Sequence, residues 1–400
     1  MLLRLTLFVL IIAFSPFSLA VDYAFSGFLS LSAGLIDDEG YTLAGLDDEI
    51  SFDNDTILGG QISGQFSDRF SATGQVVARG YSLDDSDNYH PSIEWLYFTY
   101  DVTPELRVRG GRMSTPYHNV SEYIEVGAVY PWVRPPFEVY DPNAAPVKNF
   151  NGFDVVLRSN WKDWFIISEF VLGQEENSTD HYIIDIDRIV GLNFHFTRNY
   201  FSFRIAYLVS EVSLDVFVIR DSIAPLRAIQ NNNTIDTLVE IIESKNVDYI
   251  YKSIGFTWDN DTWFVYSEYN QPTSGLGFTP QGEGMYVTVG YHIGKFSPFI
   301  TRADFRLLLG SKLKDFVNNE LIGLEVIGDP ILAAIEDNKR YQRSISLGVR
   351  YDLSGSISVK FEALRATPQN DSIGLFTPKE SSVTSAPQIN AFSIVLDVVF

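Results

Sequence analysis

The chain contains no cysteine, which excludes a disulfide framework and any thiolate metal site. Histidine is scarce too, with five in all. None sits in H-E-x-x-H spacing or beside a G-x-S-x-G elbow, so the usual metal-hydrolase and serine-hydrolase signatures are missing. Positive charge is in short supply: 29 Lys and Arg stand against 51 Asp and Glu, a net charge of −22. Such a surface repels nucleic acid. A continuous apolar run occurs only at the N-terminus. Beyond it no stretch approaches the roughly 20 apolar residues that a helix needs to cross a bilayer. Yet 46% of the residues are hydrophobic and 14% aromatic, and that apolar surface must be buried in a core or shown to lipid in short alternating pieces.

What is present begins with MLLRLTLFVLIIAFSPFSLA, which has a positive charge at Arg4, an apolar run from Leu5 to Phe14, and small residues at Ser18 and Ala20. This is the pattern of a secretory signal over residues 1–20, cut after Ala20. Residues 21–400 then form one unit. At the far end Phe392, Ile394, Leu396, Val398 and Phe400 share one strand face, and Ser393 and Asp397 lie on the other.

Between the ends, period-2 alternation recurs over stretches of about ten residues, as strands with one lipid face and one lumen face require. Clear cases are Val190 to Phe196, Phe201 to Val209, Met285 to Ile293, Ile345 to Tyr351 and Ile357 to Ala363. Strands near 92–101 and 161–172 are apolar on both faces and are placed from their turns. The connections alternate between short turns (near 68, 102, 161, 198, 260, 294 and 354) and long polar stretches near 33–56, 82–91, 113–147, 173–187, 211–247, 271–283, 307–340 and 367–388. The count gives about sixteen strands with both termini on the short-turn side. The fold class is therefore all-β, a transmembrane antiparallel β-barrel. Aromatic residues crowd the short turns, among them Trp161, Trp164, Tyr200, Phe201, Trp258, Trp263 and Phe296, as an interfacial girdle would. The outward faces near 56–66 and 70–81 instead carry Gly60, Gly64, Ala72, Gly74 and Ala78, small residues that suit a contact between subunits.

With the signal, the strand count and the terminal Phe in place, the sequence resembles the Gram-negative outer-membrane porin family across essentially all of residues 21–400. The resemblance implies localisation in the outer membrane and a homotrimer. It also implies contact with membrane lipid and lipopolysaccharide, and delivery by the barrel assembly machinery, which reads Phe400. In that family the third long loop folds into the barrel and narrows it, which here is 113–148. That segment holds Glu122, Glu125, Arg134, Glu138 and Asp141 among stiff Pro and aromatic residues. Porins set arginines opposite such a loop, and alternation sends Arg79, Arg107, Arg109 and Arg158 to the lumen. An arginine turned to lipid at mid-membrane costs about 2–4 kcal/mol, so the inward assignment follows. A positive wall facing a negative loop makes a transverse field that favours hydrated, dipolar solutes.

The expected function is passive diffusion of small hydrophilic solutes and ions, with no cofactor, no metal site and no catalytic residue. A solute-specific channel with a binding site at the constriction is the alternative, and a barrel hydrolase is a remoter one. Lys252 faces outward by parity, near enough to the rim to reach a lipid phosphate. The carboxylates at 37–39, 47–49, 53 and 55 read as a solvated face or a divalent-ion bridge to surface lipid, and Ile235, Leu238, Val239 and Ile242 read as a short helix over the mouth.

Overall fold

In lipid, backbone N–H and C=O groups find no water, so strands cross a membrane only when every edge is paired. The computed structural model describes residues 21–81, 88–140, 148–178, 182–217, 226, 232–243, 245–274, 280–309, 311–321, 325–337, 339–379 and 385–400. Sixteen antiparallel strands among them satisfy that condition by closing into one barrel. The proposed signal, 1–20, lies outside the described residues.

The strands are β1 (Asp22–Ile36), β2 (Ile57–Ser67), β3 (Phe70–Arg79), β4 (Pro91–Asp101) and β5 (Leu106–Ser114). There follow β6 (Asn149–Trp161), β7 (Trp164–Ser178), β8 (Tyr182–Arg198), β9 (Phe201–Val216), β10 (Val247–Asp259) and β11 (Trp263–Ser274). The last are β12 (Pro280–Tyr291), β13 (Phe296–Leu309), β14 (Arg340–Ser354), β15 (Ile357–Pro368) and β16 (Ile389–Val399). Each pairs with its sequence neighbours, and β1 closes the ring on β16 in a ladder from Phe28↔Val399 to Ile36↔Ala391. Phe400 extends the seam, since Gly27 N–H donates to the Phe400 carbonyl at 2.8 Å and Phe400 N–H returns a bond at 3.0 Å.

The alternation has the expected sense. Phe392, Ile394, Ile205, Leu347 and Met285 are exposed on the outside, whereas Ser393, Asp397, Ser346 and Thr288 are buried. Trp161, Tyr200, Phe201, Trp263 and Phe296 lie exposed beside the short turns. A polar inner face and an apolar outer face are the reverse of a soluble barrel.

Two strands carry β-bulges that shift their phase, whereas 161–172 is regular and reads as two-sided because apolar side chains occupy both of its faces. In β4 the register jumps from Gln75↔Trp95 to Val76↔Ile93, leaving Glu94 unmatched. The extra residue shifts the phase, so Ile93 and Leu96 are both exposed although three apart. From there Leu96, Phe98 and Tyr100 face out while Trp95 and Tyr97 turn inward, which makes the stretch apolar on both faces. In β8 Asp187 is unmatched between Glu211↔Arg188 and Val212↔Ile186. That break explains a correction: 173–187, expected as a long loop, is mostly strand, with β7 continuing to Ser178 and β8 resuming at Tyr182.

Among the described residues, helices of ten residues or more occupy two of the long connections. Asn233–Glu243 forms α2, the expected fifth-loop helix, with Ile235, Leu238 and Ile242 buried. It packs with α3 (Ser311–Glu320) and α4 (Glu325–Asp337) through Leu238, Ile242, Leu313, Val317, Leu321 and Ile335. The seventh-loop pair was not expected, although Leu313, Phe316 and Val317 follow helical spacing. A four-residue helix, α1, spans Phe137–Tyr140.

On the inner wall, phenylalanines lie flat on glycines of the neighbouring strand. An added Cβ at Gly348 would stand 2.2 Å from the Phe299 ring, and one at Gly290 would stand 2.0 Å from the Phe264 ring. We predict that Gly348→Val, which forces the Phe299 ring off its seat, destabilises the barrel by about 1–3 kcal/mol. A lowered urea midpoint for loss of heat-modifiable gel migration would register it, and an unchanged midpoint would count against this packing.

Candidate functional site

The third long connection carries most of the residues singled out from sequence, and its described part, 115–140, is bonded to the inner side of the wall rather than to solvent. Its anchors are cations that alternation places on inward faces. Lys360 on β15 is 0% exposed. Its Nζ donates to the Gly127 carbonyl at 2.6 Å and to the Trp132 carbonyl at 2.8 Å, and pairs with Asp397 at 3.0 Å. Arg350 on β14 donates to the Ala128 and Tyr130 carbonyls at 2.6 and 3.1 Å. Arg204 on β9, 2% exposed, donates to the carbonyls of Tyr117, at 2.7 Å, and Pro116. Two buried cations and one half-buried one thus satisfy carbonyls of a segment with little helix or strand of its own, as buried polar groups require.

Uncharged and acidic wall residues complete the attachment. The Trp132 indole N–H donates to Thr288 Oγ1 at 2.9 Å, within a cluster of Tyr130, Val139, Phe264, Tyr286 and Phe299. Glu268 on β11 accepts from Asn119 N–H at 2.8 Å, from the Tyr286 hydroxyl at 2.9 Å and from the Tyr140 hydroxyl. Glu362 accepts from Val133 N–H at 3.0 Å. Gly127 is needed for the close approach, because a Cβ there would lie 2.4 Å from Asp397 Oδ1. His118 stacks near Tyr251 and Tyr140. Burial, with Arg204 nearby, holds its imidazole pKa well below the ordinary value, so the ring is neutral.

The candidate residues fall into four groups. Arg79 meets Glu94 at 2.6 Å and Glu125 at 2.9 Å, and Lys148 pairs with the same two carboxylates. Burial pushes the Glu125 pKa up, but Lys148 and Arg79 more than offset it and leave the group below its usual range. Arg109 meets Asp154 at 2.6 Å, Glu169 at 3.0 Å and Glu122 at 3.4 Å. Arg107 pairs with Asp101 at 2.7 Å beside a short turn, and Arg158 acts on that same carboxylate. Arg134 binds Asp55 of the first loop and Ser393 Oγ, the latter at 2.9 Å.

Glu138 stands apart from all of these, accepting from Gln342 at 2.9 Å. Its burial, only partly offset by bonds from Ser344 and Gln342, raises its pKa above the usual carboxylate range. Asp141 lies outside the described residues. Two loop carboxylates, Glu122 and Glu125, therefore reach wall arginines, while Arg134 and Glu138 hold other parts of the loop.

Sequence reasoning missed Glu94, Glu169, Lys148, Asp55, Arg204, Glu268, Arg350 and Lys360 as site residues. The inward parity of Arg204, Arg350 and Lys360 was readable, and a charge on a buried face is itself a signal. The first-loop carboxylates are engaged singly: Asp55 with Arg134, Asp48 with Lys379 at 2.5 Å, and Asp53 with the Tyr89 hydroxyl at 2.7 Å.

Opposite this packing a polar space of about 400 Å³ lies along β1 to β5, lined by Ser63, Gln65, Thr73, Thr99, Arg107 and Arg109 among others. Glu122 stands near it with its side chain 59% exposed, bonded to Arg109. The loop thus bonds to β9 through β15 and also, through Glu125 and Glu122, to Arg79 and Arg109 on the side of this space. We predict that Lys360→Met, which strands Asp397 and two carbonyls, destabilises the native state by about 3–5 kcal/mol, as the loss of one partner in a buried pair does. Hydrogen exchange at 127–133 would accelerate well beyond that of β15. Uniform exchange across both regions would argue against Lys360 as the anchor.

No protein-family model matches the sequence, and no curated protein is similar to it. Solved structures are similar in fold. An anion-selective porin from Comamonas acidovorans superposes with a TM-score of 0.59 at 10% identity, covering 95% of this chain and 100% of that one. The outer membrane channel DcaP of Acinetobacter baumannii gives 0.55 at 11% identity over 96% and 99%. OmpT of Vibrio cholerae in its trimer form gives 0.55 at 10% identity over 95% and 100%. These likenesses establish the architecture of the chain: a closed, sixteen-stranded antiparallel barrel like those of outer-membrane channels.

Proposed function

We propose that the protein is an outer-membrane porin through which small hydrophilic solutes and ions diffuse, and that 113–148 folds into the barrel and narrows it. The observation that carries this reading is the polar space along β1 to β5, beside a loop bonded to inward side chains of β9, β11, β12, β14 and β15. The passage on this reading is eccentric, with Arg79 and Arg109 on the wall and Glu122 and Glu125 on the loop at its narrowest level. Arg107 and Arg158 sit nearer the short-turn mouth. Each arginine shares its charge with a carboxylate of the wall itself, so the transverse field is weaker than a bare arginine row would give.

Secretion through a signal at 1–20, recognition of Phe400 by the barrel assembly machinery, and residence among outer-membrane lipid and lipopolysaccharide complete the proposal. Trimerisation through the small outward residues of β2 and β3 is part of it, and the trimer form of the Vibrio cholerae neighbour supports the idea.

A hydrolase reading has one feature to draw on. His292 lies between Ser297 Oγ at 3.0 Å and Asp259 at 3.1 Å. Ser297 is 5% exposed, however, and a nucleophile must be reachable by substrate. The channel reading is therefore preferred, and a solute-specific binding site at the constriction remains the alternative within it.

Single-channel recording in planar bilayers tests the proposal. Stepwise conductance that rises linearly with solute and salt is expected, in triplets for a trimer. Saturation would favour the solute-specific alternative, and absence of any step would refute the channel. We further predict that neutralising Arg107 and Arg109 together shifts the reversal potential toward cations in a salt gradient. An unchanged reversal potential would remove both from the selectivity-determining region.

A further inference from the structure

Four arginines on three adjacent strands point away from the barrel. On β13, Ile300, Arg302 and Arg306 share the exposed face, and on β14 Arg343 shares it with Ile345 and Leu347. On β15, Arg365 is exposed on the same face as Phe361. The register sets them side by side, with Arg302 opposite Ile345, Ile345 opposite Arg365, and Asp304 opposite Arg343. Along each strand the apolar residues lie toward the short turn and the arginines toward the long loops.

Among the described residues these charges are only partly answered. Asp304 alone serves both Arg343, at 2.9 Å, and Arg302, at 3.5 Å. Arg306 pairs with Glu283 at 3.2 Å, and that carboxylate also accepts from the Tyr269 hydroxyl at 3.0 Å. Among the described residues Arg365 finds the amide oxygen of Asn390, at 3.0 Å, and no carboxylate. Two carboxylates thus face four guanidinium groups, whose side chains at positions 302, 306 and 343 are 65%, 59% and 61% exposed.

Charge facing outward from a membrane barrel is costly unless an anion meets it. On this face the anion available is the phosphate of a lipid head group, and the guanidinium fork matches phosphate oxygens two at a time where an ammonium offers one point charge. We propose that Arg302, Arg306, Arg343 and Arg365 form a binding surface for phosphate-bearing lipid head groups in the leaflet next to the long loops. The proposal rests on the reading of the chain as a membrane channel. It adds a defined place on the barrel wall, with Asp304 as the brace that spaces Arg302 and Arg343.

The test uses the full-length protein purified in a zwitterionic detergent and incubated with diphosphoryl lipid A, and the bound lipid is counted by native mass spectrometry. The wild type should retain lipid A, and Arg302→Gln combined with Arg343→Gln should weaken retention by about tenfold or more. Lys162→Gln, which neutralises an exposed cation in the short turn between β6 and β7 at the other end of the barrel, should leave it unchanged. Dephosphorylated lipid A should not be retained. Equal retention by the double variant, or equal retention of the dephosphorylated lipid, would overturn the proposal. Heat-modifiable migration verifies folding, and Arg365→Gln serves in place of the double variant if that fails to fold. Conductance measured on the same samples separates the two readings. A conducting protein with indifferent lipid retention loses the surface and keeps the channel, whereas selective retention without conductance does the reverse.

Discussion

The whole structure answers one constraint: a backbone in hydrocarbon must find all its hydrogen-bond partners within the protein. Sixteen paired strands meet it only as a closed ring, and closure fixes everything else. It separates an outer face, where apolar side chains cost nothing, from an inner face, where polar ones must be satisfied by water or by each other. The third connection is bonded to that inner face by Lys360, Arg350 and Arg204 and packs Tyr130, Trp132 and Val139 against Phe264, Tyr286 and Phe299.

The inner wall is nonetheless far from uniform. On β11 to β13 it carries Phe264, Tyr286 and Phe299, packed against Tyr130, Trp132 and Val139 of the third connection. From β1 to β5 it carries Ser63, Gln65, Thr73 and Thr99 beside open space. Burial of aromatic rings on one side and solvation of hydroxyls on the other are separately favourable. Together they divide the interior into an aromatic side and a polar side. Neutralisation belongs to the same logic. Arg109 among Asp154, Glu169 and Glu122 is a cation balanced by its neighbours, so the inner wall carries a patchwork of ion pairs instead of one strong positive stripe.

The architecture was legible in the sequence because period-2 alternation is a direct record of a two-sided wall. Phe392 to Phe400 and Met285 to Ile293 read correctly without any knowledge of partners, and α2 was legible from Ile235, Leu238 and Ile242. Reading failed where one residue is inserted. Glu94 and Asp187 shift the phase of their strands, and phase is all that such a reading uses. The site was legible in its cations and not in its pairings. Alternation sent Arg79 and Arg109 inward. That Glu94 and Glu169 would hold them depends on register across strands, and that Lys360 would grip Gly127 depends on contacts more than 200 positions apart. Spacing in one chain carries no trace of either.

The seam between first and last strands has a kinetic side. Ser30 on β1 donates to Asp397 on β16 at 2.6 Å across a separation of 367 positions, so the ladder that shuts the ring joins the two most distant parts of the polypeptide. Loop-closing entropy is then met before the final contacts return anything, which makes formation slow and leaves unpaired edges exposed meanwhile. Lacking either end, the chain would retain two raw strand borders and no means of sealing them, so that the smallest stable unit of this protein is the finished circle.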